Sequence, residues 1–541
     1  MKSRGMVVCP QPEAAEAGVE ALREGGNAVD AAIACAFAQS VVDPLMCGIA
    51  GFGSMALWLP GSGAPGSGVN EYFDFHAAAS SAVRPDMWAD ILEGETRDGF
   101  GFILKDRVND IGYQAIAVPA ALRAYETAHR AYGRLPWSRV VEPAIRWAEE
   151  GYFVRPAMSA FFNEGSGMGR AATAERLAFS ATGRALYCTP SGAPKPTGAP
   201  IRNPDMAETL RLIARDGADA FYTGEIAKRI VADMAANGGF LTADDLANVA
   251  AQRAEPLTGE YRGRRISTNP PPGGGVMLLE MLNILENFDL AALGHNSPDY
   301  MQVVSEAMKR ATIDKDARVG DPAFIDVPLD ELTSKAYAAT LAEAIRRGER
   351  ASVPRVGANH VSRDTTHISI VDGEGGCVSL THSLGMPSGV ITDGLGFMYN
   401  GCMGVFDPRP GHAGSIAPGK SRFSAMCPTI VFEGDSPSLV LGAPGGTQIV
   451  MGVLQVILNV LDFGMNLAAA VSAPRFSSTG NAIDVSNRIP RYVTRELEER
   501  GETIIRNPVG YTIGWVHGIH IHADRLDGMA DPGRDGVAYE A

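Results

Sequence analysis

The pattern of apolar and polar positions changes character about two thirds of the way along the chain. Before that point apolar residues recur at three- and four-residue spacing, and each run stops at glycine. "ALRAYETAHRAYG", "SRVVEPAIRWAEEG", "DMAETLRLIARDG" and "GEIAKRIVADMAANGG" predict amphipathic helices within residues 120–350. Near the start, "EAAEAGVEALREGGNAVDAAIACAFAQSVV" predicts two helices, with Gly25 and Gly26 ending the first and Asn27 capping the second. The second is Ala-rich with few polar positions, so it is expected to be buried. "DPLMCGIAGFGSMALWL" predicts a glycine loop feeding an apolar strand; its Gly48, Gly51 and Gly53 lack the spacing of a dinucleotide fingerprint. "STNPPPGGGVMLLEMLNILENFD" sets a proline corner before a long helix. "QIVMGVLQVILNVLDFG", from Gln448, predicts a core helix, being shorter than the roughly 20 apolar residues a bilayer span needs.

Helical periodicity stops in "RRGERASVPRVGANHVSRD", which is rich in charge, Gly and Pro and has the composition of a linker. Strict alternation then begins at Thr365. "THISIVD" and "CVSLTHSL" flank "GEGG", which predicts a β-hairpin. Pairing Val371 with Cys377 around Glu374 sets Thr365 opposite Ser383, on one face and with Cβ atoms about 5 Å apart. That face carries Thr365, His367, Ser369, Ser379, Thr381 and Ser383; the other carries Ile368, Ile370, Val378, Leu380 and Leu384. The alternation is that of a half-buried strand.

Composition narrows the function classes. A chain of 541 residues that is 45% hydrophobic and 20% charged is globular and large enough for a sizeable core. Its net charge of -15 offers no basic stripe for nucleic acid or for anionic membrane surfaces. The first residues lack the apolar run of a signal peptide, and the seven cysteines contain no CxxC pair. Reduced, buried thiols and a cytoplasmic location are the expectation. HExxH is absent, and the histidine cluster in "HGIHIH" (His517, His520, His522) suits a strand, so no metal and no other cofactor is expected.

Strand-borne hydroxyls raise the question of a nucleophile. A hydroxyl attacks well only when a base takes its proton, and the usual bases are a histidine or the α-amine of an N-terminal threonine. Neither a GxSxG elbow nor an SxxK/SDN/KTG set is present. A threonine made N-terminal by cleavage remains.

Those strand residues, followed by "SAMCPTIVF" and "LVLGAPGGTQIVMGVLQVILNVLDFGMNLAAAVSAPRF", resemble the small subunit of the γ-glutamyltranspeptidases, or glutathione hydrolases. "EGGNAVDAAIACAFAQSVVDP", "GGFLTADDLANV", "NPPPGGGVMLLEMLNILENFD" and "EAMKRATIDKDARVGDPAF" resemble the large subunit, so the likeness runs over nearly the whole chain. It implies an N-terminal nucleophile hydrolase: an α+β, four-layer αββα sandwich made as a proenzyme. Residues 1–364 would form a helix-rich large subunit and 365–541 a catalytic small one, a heterodimer open to further homo-oligomerisation.

Carried over position by position, Thr365 matches the nucleophile that cuts the chain after Asp364, and Ser383 matches a threonine that hydrogen-bonds it. Gly445 and Gly446 match the diglycine whose amides form the oxyanion hole. For substrate binding, Ser424 matches the first of two carboxylate-holding serines, while Arg84, Asn400 and Asp407 stand at or near other glutamate-binding positions. The chain departs from the family where Pro85, Gly385, Val405 and Ala425 replace polar contacts to the glutamyl group. The implied activity is hydrolysis or transfer of the acyl group of a small γ-glutamyl-type amide or peptide through an acyl-enzyme. One alternative keeps that mechanism with a non-glutamyl acyl group, as in relatives that resemble cephalosporin acylases or oxamate amidohydrolases. Another is an inactive, uncleaved scaffold or binding protein.

Overall fold

The computed structural model describes residues 5–61, 68–165, 170–355 and 365–541. Asn27 accepts from the amides of Val29 and Asp30 while Asp30 answers the Asn27 amide, a reciprocal cap that separates the Pro12–Arg23 and Ala28–Val42 helices. Every residue of the Ala28–Val42 helix is buried. It needs small side chains because it lies between the hairpin on one side and the Trp137–Glu150 helix on the other. The Gln448–Leu461 helix is likewise core, with all but its last two residues buried.

Two antiparallel sheets lie face to face between helical layers, giving the αββα sandwich. The first sheet runs, edge to edge, Val537–Glu540, Met6–Cys9, Thr366–Val371, Cys377–Ser383, Phe52–Leu59, Val69–Phe75 and Gln252–Ala254. The second runs Leu526–Met529, His517–Ile521, Ser436–Gly442, Thr429–Glu433, Arg264–Thr268 and Leu257–Tyr261. Each sheet takes strands from both sides of residue 365. The two chain halves are therefore interleaved partners in one sandwich.

The hairpin has the register that its turn predicts: Val371 faces Cys377, His367 faces Thr381 and Thr366 faces His382. Its exposure differs from the expectation. Every residue of both strands is buried, because the polar face packs on the second sheet instead of meeting water. Ser379 donates to the Leu441 carbonyl (2.9 Å) and Ser369 to the His517 carbonyl (3.1 Å), so the hydroxyls are satisfied by the facing backbone. Gly51 and Gly53 explain the glycine loop before the third central strand: a Cβ at either would collide with a carbonyl of the hairpin.

Among the described residues all seven cysteines are free and buried, and no helix is long and apolar enough to cross a membrane. "RRGERASVPRVGANHVSRD" ends a helix at Arg346 and continues without regular structure to Arg355. The remainder of that stretch, including the expected cleavage residue Asp364, lies outside the described residues.

Candidate active site

Thr365 sits just ahead of the first hairpin strand, buried, with its Oγ1 donating to Ser383 Oγ at 3.1 Å. Ser383 Oγ in turn accepts the Gly385 amide at 2.7 Å, which fixes its orientation. Thr366 points to the opposite face, where Gln11 and Gln39 donate to its hydroxyl at 3.2 and 3.3 Å. The two adjacent threonines are thus divided by strand alternation, one toward a cavity and one into the layer beneath.

Thr365 has a φ of 124°, a region that β-branched residues rarely adopt. Such strain costs on the order of 1–3 kcal/mol and persists only where surrounding packing enforces it. No ionisable side chain among the described residues hydrogen-bonds Thr365. His367, two residues on, is committed to Thr381 (2.8 Å) and Ser369 (3.0 Å). Burial, with His517 and His382 adding to it, holds His367 well below the usual histidine range, so it stays neutral.

Thr365 and Ser383 line a small cavity, and Gly385, Ser424, Gly446 and Thr447 contribute to its wall. Gly445 (φ 133°) and Gly446 (φ 57°) hold the turn from the Ser436–Gly442 strand to the Gln448–Leu461 helix. A side chain would be strained at either position. Their amides have no acceptor among the described residues, and they precede the positive end of the helix dipole. Such a turn can receive a developing oxyanion. Ser424 is anchored by its amide to the Pro272 carbonyl (2.9 Å), and its Oγ accepts weakly from the Met426 amide (3.3 Å).

Three expected substrate-binding residues are placed elsewhere. Arg84 is exposed, 3.7 Å from Asp86 and away from the cavity wall, because its turn lies on the surface. Asn400 is fully buried but spent on backbone: it donates to the Ala50 and Ala117 carbonyls and accepts from the Ala117 and Cys402 amides. Asp407 faces a neighbouring cleft, where Arg409 forks onto its carboxylate at 2.6 and 2.8 Å. That cleft joins the first cavity at Gly99, Val405 and Phe423.

One residue of the cavity wall escaped the sequence reading. Arg422 lies two positions before Ser424 and is therefore on the same side of an extended segment. It is buried beneath the Phe52 ring, 4.7 Å from its centroid. That spacing was the available signal.

A family model described as gamma-glutamyltranspeptidase matches residues 14–541. The chain belongs to the γ-glutamyltranspeptidase family. It is an enzyme of that hydrolase and transpeptidase family. The chain is 37% identical over 511 residues to the Acylase ACY 1 proenzyme of Pseudomonas sp. (strain V22), covering 94% of this chain and 88% of that one. It is 34% identical over 490 residues to the glutathione hydrolase proenzyme of Escherichia coli (strain K12), covering 87% of this chain and 80% of that one. In solved structures, the cephalosporin acylase from Bacillus halodurans superposes with a TM-score of 0.87 at 30% identity, over 99% of this chain and 96% of that one.

Proposed function

We propose that this chain is a self-cleaving proenzyme in which Thr365 becomes the N-terminal nucleophile of an amide hydrolase. The observation that carries the reading is the buried Thr365–Ser383 pair, facing a cavity whose wall includes the Gly446 turn. In the precursor the Thr365 hydroxyl attacks the Asp364 carbonyl, the acyl group moves to oxygen, and water hydrolyses the ester. The positive φ of Thr365 supports this step, since cutting the preceding peptide bond abolishes that dihedral and releases its strain. The freed α-amine then supplies the base that no side chain among the described residues offers.

In catalysis the α-amine accepts the Thr365 proton as Oγ bonds to the substrate carbonyl carbon. The Gly445 and Gly446 amides hold the oxyanion, the C–N bond breaks, and the amine leaves with the proton. Water, or an acceptor amine, takes the acyl group in the second half. The adjoining cleft gives the leaving group room, and its wall includes Lys315, Arg355 and Arg409.

The acyl group is one without an α-ammonium. Gly385, Val405 and Ala425 all line the cavity, so those three polar contacts of the family are missing at the site itself, and no carboxylate residue among the described residues joins the lining. Intact mass of the purified protein tests the proposal: fragments of 364 and 177 residues are expected, which together make the 541-residue chain. Thr365→Ala is expected to stay whole and inactive. Efficient cleavage in that variant, or a cut elsewhere, overturns the mechanism.

A further inference from the structure

Behind the Thr365–Ser383 pair, on the other face of the hairpin, a run of buried polar side chains ties both strands to the helices beneath. Thr366 and His382 are strand partners, one step nearer the turn than Thr365 and Ser383. Both bind Gln39 of the Ala28–Val42 helix: His382 Nε2 lies 2.6 Å from Gln39 Oε1, and Gln39 Nε2 donates to Thr366 Oγ1 at 3.3 Å. Gln39 Nε2 also donates to Gln11 Oε1 at 2.5 Å. Gln11 Nε2 in turn donates to Thr366 Oγ1 at 3.2 Å and to Asp43 Oδ2 at 2.6 Å. Tyr125 closes the other end, with its hydroxyl 2.6 Å from His382 Nδ1. All six residues are buried.

The chemistry of the last group sets the direction of the whole run. A carboxylate only accepts, so Gln11 turns its amide nitrogen to Asp43 and its oxygen to Gln39. Gln39 therefore gives its nitrogen to Gln11 and Thr366, and its oxygen to His382. The Nε2 of His382 then carries the proton, and its Nδ1 accepts from Tyr125. Burial pulls His382 down to about 3, so the neutral ring that this order demands is the one present. Each glutamine uses both of its N–H bonds, one of them on Thr366, and no buried side-chain atom of the six residues lacks a partner. An amide in the middle of an alanine-rich buried helix is costly unless it is paired in this way. A run polarised in one direction also strengthens each bond within it.

We infer that Gln39 is a positioning residue for the nucleophile: it staples the two hairpin strands one step behind Thr365 and Ser383, and so fixes the spacing at which their hydroxyls meet. This rests on Thr365 being the nucleophile. The staple comes from the part of the chain before residue 365, whereas both hydroxyls that it aligns come from the part after the cut. Once the preceding peptide bond is broken, Thr366 is the sole covalent anchor of Thr365, and Gln39 and Gln11 hold that anchor by its hydroxyl. Before the cut, the same hold is the support against which the positive φ of Thr365 is maintained. Gln39 is not part of the cavity wall and acts through Thr366 and His382.

The chain's own cleavage is the reaction to time, since it needs no added substrate. Full-length precursor from cell-free synthesis is followed on denaturing gels, with near-ultraviolet circular dichroism of each purified variant as the check on folding. Gln39→Met keeps the length of the side chain without its hydrogen bonds, and is expected to slow cleavage at least about tenfold, the scale of a small misplacement of reacting groups. Thr366→Val is expected to do the same by removing the shared acceptor, and Thr366→Ser to restore most of the rate. Ser40→Ala is the control: Ser40 lies in the same helix but donates only to the Phe37 carbonyl at 2.6 Å, and its loss is expected to leave the rate unchanged. If Gln39→Met does not fold, the two variants at 366 decide. A folded Gln39→Met or Thr366→Val chain that cleaves as fast as the unaltered one overturns this inference and leaves the nucleophile in place. So does a Thr366→Ser chain no faster than Thr366→Val, which would mark a packing role. An unaltered chain that stays whole, or a Thr365→Ala chain that is cut, overturns the nucleophile as well.

Discussion

Ser383 makes the one hydrogen bond that orients Thr365 among the described residues, at 3.1 Å, and is itself held by the Gly385 amide. Ser383→Ala removes the acceptor of both groups and leaves a buried amide unpaired, which typically costs about 1–3 kcal/mol. The kcat/KM of the processed enzyme is expected to fall about 10- to 100-fold. Ser383→Thr restores the hydroxyl and is expected to recover most of that loss. Steady-state kinetics on the two variants checks the pair; a drop under threefold in Ser383→Ala would show that the bond is incidental. At this scale the sequence was informative about the nucleophile pair and poor about the clamp. Strand period alone places Thr365 opposite Ser383. Arg84, Asn400 and Asp407 were carried over by likeness, and each depends on a loop whose path the local sequence does not state. Arg422 was missed because a lone arginine in a loop is normally a solvated side chain.

The hairpin and the strand facing it bury three histidines: His367, His382 and His517. Burial pulls His382 down to about 3, and pulls His517 to about 3 with Arg534 and Arg475 adding to it. His382 is clamped neutral between the Tyr125 hydroxyl and Gln39, each at 2.6 Å. The unfolded chain protonates these histidines below about pH 6.5, whereas the folded chain does not until much lower. Their contribution is therefore complete above pH 6.5 and lost as pH falls toward 3, by about 1.4 kcal/mol per histidine per pH unit. The melting temperature is expected to drop between pH 7.5 and 5.5, and the drop to be shallower in His382→Gln. An unchanged or rising melting temperature over that interval would contradict neutral burial. The same sheet shows where alternation misleads: it identified the strand and its two faces, but it read the hydroxyl face as solvent-facing. A second sheet supplies backbone acceptors there, and nothing in the hairpin announces it.

Across the whole molecule, the interleaving of strands sets what cleavage can do. The Met6–Cys9 strand pairs with Thr366–Val371, Phe52–Leu59 pairs with Cys377–Ser383, and Arg264–Thr268 pairs with Thr429–Glu433. A cut before Thr365 leaves all of these ladders intact, and it leaves Arg97 forked onto Asp484 at 2.6 and 2.8 Å. The processed fragments are expected to co-elute in native size exclusion, with the 57.1 kDa of one chain as the mass of the unit or of each copy in an oligomer. They separate only in denaturant; resolution of the two under native conditions would contradict shared sheets. The sequence by itself determined the helices, the hairpin, its register and hence the Thr365–Ser383 pairing. Those features depend on periods of 3.6 and 2 residues and on turn chemistry, which act over short stretches of chain. Only the tertiary structure decided which loop residues reach the cavity and which face of the hairpin stays dry. It also decided that Nη1 of the buried Arg422 lies beside Gly385 without a partner among the described residues, because that packing joins segments far apart in sequence.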